Sequence, residues 1–440
     1  MKKKVLAFLM VLAMMVCMAT VASAEKEVVL TYQTPNASDM ITTVFKEYQK
    51  DHPNVTLDVQ VVDFSQLETK FLSQVETGTL TDFGWMNCNF WRNGLADNDT
   101  VLDLTDIVNE FGEGVFHPEA FKAAKTPDGR IACFPAEMQI QGYLINPSLF
   151  EKYDLEIPTT FDQMLECAKV FNENGIAMIG SGTMDTWPTW MWYHWVRLWG
   201  GQENSEGLFK DHSIAWQDSD VVQLYYKLAE LREAGAFPQN NATISYEQSK
   251  ILFLGEKCAI LPTSTDQLAG IVNSDLDKAG KIEFWYGPAF TDSPYNQDIA
   301  VKMVNNGFGI SAKISEEKLA VLIDFLKYFY SADSQNILIK QGITLPIMAD
   351  IDESGVSHLT ASIVERTKDT TKTSVIGGSW CWFDQTDGDI QYFLDFHMAH
   401  DGLLNGLVDG SVTAEDLPEK LAAMDELITA GLESYHRANG

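Results

Sequence analysis

Basic residues are scarce in this chain. Lysine and arginine number 31 against 62 aspartates and glutamates, which gives a formal net charge of −31 at pH 7. So acidic a surface repels nucleic acid and anionic lipid, and this excludes functions built on gripping phosphate backbones. Cysteine is scarce too, with six in 440 residues. Cys17 lies in the leading apolar run, and the others, Cys88, Cys133, Cys167, Cys258 and Cys381, have neither a zinc-type nor a CxxC spacing. An odd, scattered set makes no disulfide framework, although one bridge stays open to it. Cys133 and Cys167 sit in apolar stretches and are expected to behave as small buried hydrophobes. Long Pro/Gly linkers, low-complexity tracts and internal repeats are lacking. The length suggests two or three domain-sized units, joined by short or multiple crossings instead of a flexible tether.

Signatures of covalent and metal chemistry are also missing. There is no GxSxG elbow, no HExxH and no phosphate-cradling loop. The stretch DIDESGVSHLTA copies the start of a calcium loop with Asp350, Asp352, Ser354 and Gly355. Ala361 stands where the bidentate glutamate belongs, so a turn is predicted. His397 and His400 are three apart on a predicted helix with no third ligand in sight, which predicts an exposed or capped pair. Neither a metal nor a cofactor is expected.

What is present begins with MKKKVLAFLMVLAMMVCMATVASAEKE. Three lysines, an uncharged apolar run and Ala22-Ser23-Ala24 as a cleavage site read as a secretory signal peptide over residues 1–24. The protein is therefore expected to be exported, to a periplasm or an extracellular cell surface. A retained anchor fits the cleavage site less well, and bulky Met15 and Val16 disfavour lipid attachment at Cys17.

After the signal, VVLTYQT predicts a strand, and Met40, Val44, Phe45 and Tyr48 follow at helical spacing. VTLDVQVVD predicts a second strand, Phe64 to Val75 a helix stopped by Gly78, and FGWM a third, buried strand. Further on, IACFPAEMQIQGYLI is extended and PTTFDQMLECAKVFNENG is a capped helix. SEEKLAVLIDFLKYFYS is an amphipathic helix with Ser315 as N-cap. Strands alternating with helices predict an α/β fold with parallel sheets, in which ligands gather where strands end.

Five of the eleven tryptophans fall between Thr186 and Gly201. On a helix, Trp192, Trp195 and Trp199 would share an arc of about 60°, a core stripe. Trp187 and Trp190 straddle Pro188 at a loop-to-helix mouth and are candidates for a ligand. A sugar ring suits such indoles, because its C–H face lies on an aromatic platform while its hydroxyl edge bonds to amides and carboxylates. The predicted strand ends supply both parts. They carry Gln33 and Asn36, Asn87 and Asn89 with Trp91, Gln139 and Gln141, Asp266, and Trp380 in GGSWCWFD.

With these residues in place, the chain resembles the extracellular solute-binding proteins of ABC importers, in the sugar-binding group that includes maltose-binding protein. GRIACFPAEMQIQGYLINPSLFEKYDLEIPTTFDQMLECAKVF carries the most specific likeness. FKEYQKDHPNVTLDV, SKILFLGEKCAIL and FGISAKISEEKLAVLIDFLKYFYSADSQNILIKQGITLP support it. The resemblance implies a two-lobe periplasmic-binding-protein-like fold of type II, with the ligand in a cleft between lobes joined by three hinge crossings near Met138, Asn305 and Pro346. The first lobe would take residues 25–138 and 306–346, the second 139–305 and 347–440.

It further implies a carbohydrate ligand, mono- or oligosaccharide, delivered to a transmembrane permease, with any ATP hydrolysis left to a partner. The protein would be a monomer, not an enzyme, with no nucleic-acid partner. By the same likeness Gln33 and Asn36, and Asn87 and Asn89, match loops that touch sugar in relatives, and Trp380 matches a late stacking segment. Two departures stand out: Gln139 replaces a carboxylate after the first crossing, and TDFGWM puts Gly84 inside the third strand, where backbones should approach closely.

Two alternatives compete. A secreted glycoside hydrolase would need two carboxylates about an anomeric centre, for which Glu137, Asp266, Asp384 and Asp387 are candidates. A cationic solute such as a polyamine could be held by Asp266 and neighbouring acids.

Overall fold

The computed structural model describes residues 26–440, apart from 99, 113–114, 117–119, 122, 127, 186–191, 193–194, 196–198, 200–207, 209–212, 218–221, 289, 295–299, 305, 343–351, 369–372, 376–389 and 440. The signal peptide, the third crossing near Pro346, Cys381, Asp384, Asp387, Trp187, Trp190 and Trp380 thus lie outside the described residues.

Two sheets organise the chain. The first has the order β2-β1-β3-β10-β4, with β1 Val28–Thr34, β2 Val55–Val61, β3 Phe83–Asn87, β4 Cys133–Pro135 and β10 Asn306–Ile310. In the second, β5 Gln139–Ile145 is flanked by β7 Cys258–Ser264 and β9 Ala300–Met303, with β6 Ala177–Ile179 and β11 Thr373–Val375 at the edges and β8 Glu283–Trp285 also pairing with β5. Helices connect and cover both, which makes a two-lobe α/β fold.

The sheets are mixed where parallel ones were predicted. β1 runs parallel to β2 and β3, but β10 is antiparallel to β3 and β4, and β5 is antiparallel to β7, β8 and β9. The chain's crossings account for part of the reversal. It leaves the first sheet through β4, enters the second as β5, and comes back from β9 into β10. The outgoing and returning crossings lie side by side, with Ala136 N–H donating to the Asn306 carbonyl at 2.9 Å.

Local chemistry sets the helix limits. Asp39 caps Met40–Asp51 by accepting from Thr42 N. Thr160 and Gln163 form a capping box on Phe161–Glu173, and Ser315 caps Glu316–Phe329. Each cap satisfies an amide that the first turn leaves unpaired. The Phe64–Thr77 helix stops at Gly78, whose φ of 64° an L side chain would resist. Phe45 and Phe325 join the Met40–Asp51 and Glu316–Phe329 helices edge to face at 5.1 Å.

The tryptophan stripe lies in the core that packs on the second sheet, with Tyr143 and Ile260. Trp192 and Trp195 are fully buried and meet edge to face at 5.0 Å, while Trp195 and Trp199 both pack on Phe290. His400 corrects the expectation of an exposed or capped histidine. It is buried, its Nε2 lies 2.6 Å from the Tyr225 hydroxyl, and its ring packs on Trp216. The Ile390–Asp409 helix turns it inward, where the phenol pairs with its Nε2. Cys88, Cys133, Cys167 and Cys258 are buried and unbridged. Asp352 accepts from Ser354 N at 2.9 Å and Ser354 Oγ at 2.7 Å, the predicted turn. Among the described residues no helix is long and apolar enough to cross a membrane, and no cluster of three or more His, Cys, Asp or Glu could hold a metal ion.

Candidate functional site

Where the strands of both sheets end, a cavity of about 360 Å³ opens. The first sheet contributes the segment after β1, with Asn36 and Asp39, and the end of β3, with Trp85 and Asn87. The crossings contribute Glu137, Gln139, Gln141 and Asn306. The second sheet contributes Ser264 from β7 and Asp266 and Gln267 from the 3₁₀ turn that follows, Thr265–Gln267. Helix Tyr246–Leu254 adds Glu247 and Lys250, and helix Phe64–Thr77 adds Glu68. Six residues marked in the sequence therefore meet here: Asn36, Asn87, Glu137, Gln139, Gln141 and Asp266.

Others are placed differently. Gln33 is 4% exposed, pairs in register with Gln60 and Gly84 inside the sheet, and lies behind the lining. Asn89 is not in a loop. The helix Cys88–Asn98 begins directly after β3 and includes it. Trp91 belongs to the core, not to the ligand edge. A Cβ on Gly309 would sit 2.0 Å from its ring, and one on Gly84, the register partner of Gly309, would sit 3.6 Å away. Two facing glycines thus make a slot for the indole, whose N–H is satisfied by the Gly307 carbonyl at 3.1 Å. The expected close approach at Gly84 is present, since its added Cβ would lie 3.3 Å from the Gln33 carbonyl oxygen.

Among the described residues the aromatic of the cleft is Trp85, which sequence reading passed over as part of a buried strand. The signal was available. Side chains alternate along a strand, so the face that carries Asn87 also carries Trp85.

Carboxylates outnumber cations in the lining. Asp39, Glu68, Glu137, Glu247 and Asp266 face one lysine, Lys250, among the described residues. Lys250 is only 11% exposed in its side chain and pairs with Glu247 Oε1 at 2.6 Å. Cations are thus scarce in the described lining, and the one present is neutralised.

Asp39 accepts from the Tyr32 hydroxyl, from Thr34 Oγ1 at 2.7 Å and from Thr42 N at 2.9 Å. Burial raises its carboxyl's pKa above the usual range, and these donors oppose the rise. Asp266 Oδ2 accepts from Gln267 Nε2 at 2.7 Å, while its buried Oδ1 has no hydrogen-bond partner. Burial pushes its pKa up as well. Glu137, 2% exposed, accepts at Oε1 from Gln139 Nε2 and Asn306 Nδ2, each at 3.1 Å. It thereby joins the outgoing crossing to the returning one. Such a concave site, with an indole and convergent polar groups, can hold a small solute.

Known proteins resemble this chain in family and in fold. The family model described as bacterial extracellular solute-binding protein matches residues 35–336. An uncharacterized ABC transporter extracellular-binding protein of Pyrococcus horikoshii is 27% identical over 211 residues, 45% of this chain and 47% of that protein. The match thus spans about half the length of that relative. Among solved structures, a chitin oligosaccharide binding protein superposes with a TM-score of 0.76 at 17% identity, covering 93% of this chain and 100% of the other. A protein from xylan utilization by the thermophilic bacterium Caldanaerobius polysaccharolyticus gives 0.75 at 20%, covering 91% and 99%. The bacterial solute receptor AcbH, with its preference for β-D-galactopyranose, gives 0.74 at 16%, covering 91% and 98%. At such identities these structures speak for the two-lobe type II fold alone. With the family model matched over most of its length, the chain belongs to the bacterial extracellular solute-binding protein family of ABC transporters.

Proposed function

We propose that this protein captures a carbohydrate, a mono- or oligosaccharide, outside the cytoplasm and delivers it to the transmembrane permease of an ABC importer. The observation that carries this reading is the cleft between the two sheets, where the Trp85 indole stands beside amides and carboxylates able to bond a hydroxyl edge. Residues 25–138 with 306–346, and 139–305 with 347–440, form the two lobes. The membership of the sheets supports that division. Trp187, Trp190 and Trp380 join Trp85 as stacking faces. Binding shuts the lobes about the crossings, because only a shut form touches both sides of a guest. No covalent step is required.

A thermal-shift screen of mono- and oligosaccharides tests this. A specific sugar raises the melting temperature by mass action, and at 100 times its Kd contributes about 2.7 kcal/mol. A second reading, a cationic solute such as a polyamine, is favoured by the excess of carboxylates in the lining. Salt separates the two, since cation binding weakens as salt rises while neutral sugar binding barely responds.

A further inference from the structure

Three side-chain amides line the cleft with a donor already committed to a carboxylate. Gln139 and Asn306, one beside each crossing, turn their NH₂ groups onto the same oxygen, Glu137 Oε1, at 3.1 Å each. Gln267 turns its NH₂ onto Asp266 Oδ2 at 2.7 Å. An ionised carboxylate only accepts, so it dictates which end of a neighbouring amide faces it. With one N–H of each amide so committed, its carbonyl oxygen is the end turned away from that carboxylate. Lys250, the basic residue of the described lining, spends its charge on Glu247. On the same surface Asn87 Oδ1, Asp266 Oδ1 and Ser264 Oγ are buried without a hydrogen-bond partner, and Ser264 is 6% exposed. Two of those three atoms can only accept.

We propose that Glu137, by fixing the Gln139 and Asn306 amides, makes the floor of the cleft an acceptor surface that takes sugars bearing hydroxyl or ammonium donors and refuses sugars bearing a carboxylate or phosphate. The inference rests on the carbohydrate reading and goes further, to the class of sugar. A hydroxyl or ammonium satisfies the stranded acceptors. A carboxylate or phosphate leaves them unpaired and adds like charge beside Asp266 and Glu137, which disfavours the wrong guest strongly. Glu137 acts here in two ways, through the two amides it holds and through its own charge in the lining. In Glu137→Gln the substituted side chain can donate as well as accept. Either neighbour is then free to swing its NH₂ toward the guest.

The test is titration calorimetry at pH 7 and fixed salt with matched series. These are glucose, glucosamine, glucuronate and glucose 6-phosphate; galactose, galactosamine and galacturonate; and oligomers of xylose, chitosan and galacturonate. In the native protein the anionic members should bind about 100-fold more weakly than their neutral or amino counterparts. Glu137→Gln, close in shape and so expected to fold, should narrow that ratio about tenfold. A merely structural role would weaken all members alike and leave the ratio where it was. Equal or tighter binding of the anionic members by the native protein overturns the acceptor floor, while the carbohydrate reading stands. Discrimination that persists unchanged in Glu137→Gln overturns the role given to Glu137. Binding of no member of any series sinks the carbohydrate reading and this inference with it.

Discussion

Asp39 and Asp266 look into one cavity from opposite walls, in opposite states of completion. Asp39 has its oxygens filled by a phenol, a threonine hydroxyl and a helix amide, all from its own stretch of chain. Asp266 has one oxygen filled and one empty. Folding alone finishes the first wall and leaves an acceptor waiting in the second. Polar groups that a fold can satisfy locally build its scaffold, while those it leaves unsatisfied at a cleft mark where a guest must contribute.

The largest expected effect breaks the first side of this contrast. Asp39→Ala removes the cap of Met40–Asp51 and strands the Tyr32 hydroxyl, which should lower unfolding free energy by about 3 kcal/mol in urea denaturation. A loss below about 1 kcal/mol would dissolve the contrast. Next come the indoles. Alanine at Trp85, Trp187, Trp190 or Trp380 should each cost about 2 kcal/mol of sugar affinity by calorimetry. Unchanged affinity in all four would remove the aromatic faces from the site.

The second side is sharpened by Asp266→Asn. Affinity should fall about tenfold, while stability holds or rises, since asparagine carries no charge to desolvate. A stability loss as large as that at Asp39 would mean that both walls are scaffold.

The smallest effect is in pH. The folded pKa of Asp266 is raised from its ordinary value of 3.8, so the folded state keeps that proton to higher pH than the unfolded chain does. Its contribution to the ligand-free protein's stability is therefore present at low pH and declines as pH climbs from 3.8 through the raised value. Melting temperature against pH should show a shallower decline in Asp266→Asn than in the native chain. Identical slopes would return Asp266 to an ordinary, solvated carboxylate.

Much of this was legible in the residues. The strands from VVLTYQT to the extended IACFPAEMQIQGYLI, the Ser315 cap and the buried tryptophan stripe follow from local periodicity. Asn36, Asn87, Gln139, Gln141 and Asp266 could be marked because strand ends are where an α/β sheet leaves side chains uncovered. What stayed hidden depended on partners remote in sequence. Trp85 and Trp91 are six residues apart, and the choice between them turned on Gly309, which opens the slot for Trp91 from a strand that arrives much later. Lys250 goes unmarked in the sequence, and it is the Tyr246–Leu254 helix that places it at the cleft with Glu247. His400 reads as half of an exposed pair until Tyr225 and Trp216 close over it. The antiparallel strands were invisible for the same reason, since nothing local says when a chain will come back.

The bond from Ala136 N–H to the Asn306 carbonyl has a mechanical consequence. Two antiparallel strands laced backbone to backbone make a ribbon that twists and bends readily but does not slip along its own length. Whatever swing brings the jaws together, a sideways glide of one past the other is held in check at this point. Opposing teeth would meet in the same alignment on every cycle, and a misshapen guest would wedge the mouth ajar without finding a second bite.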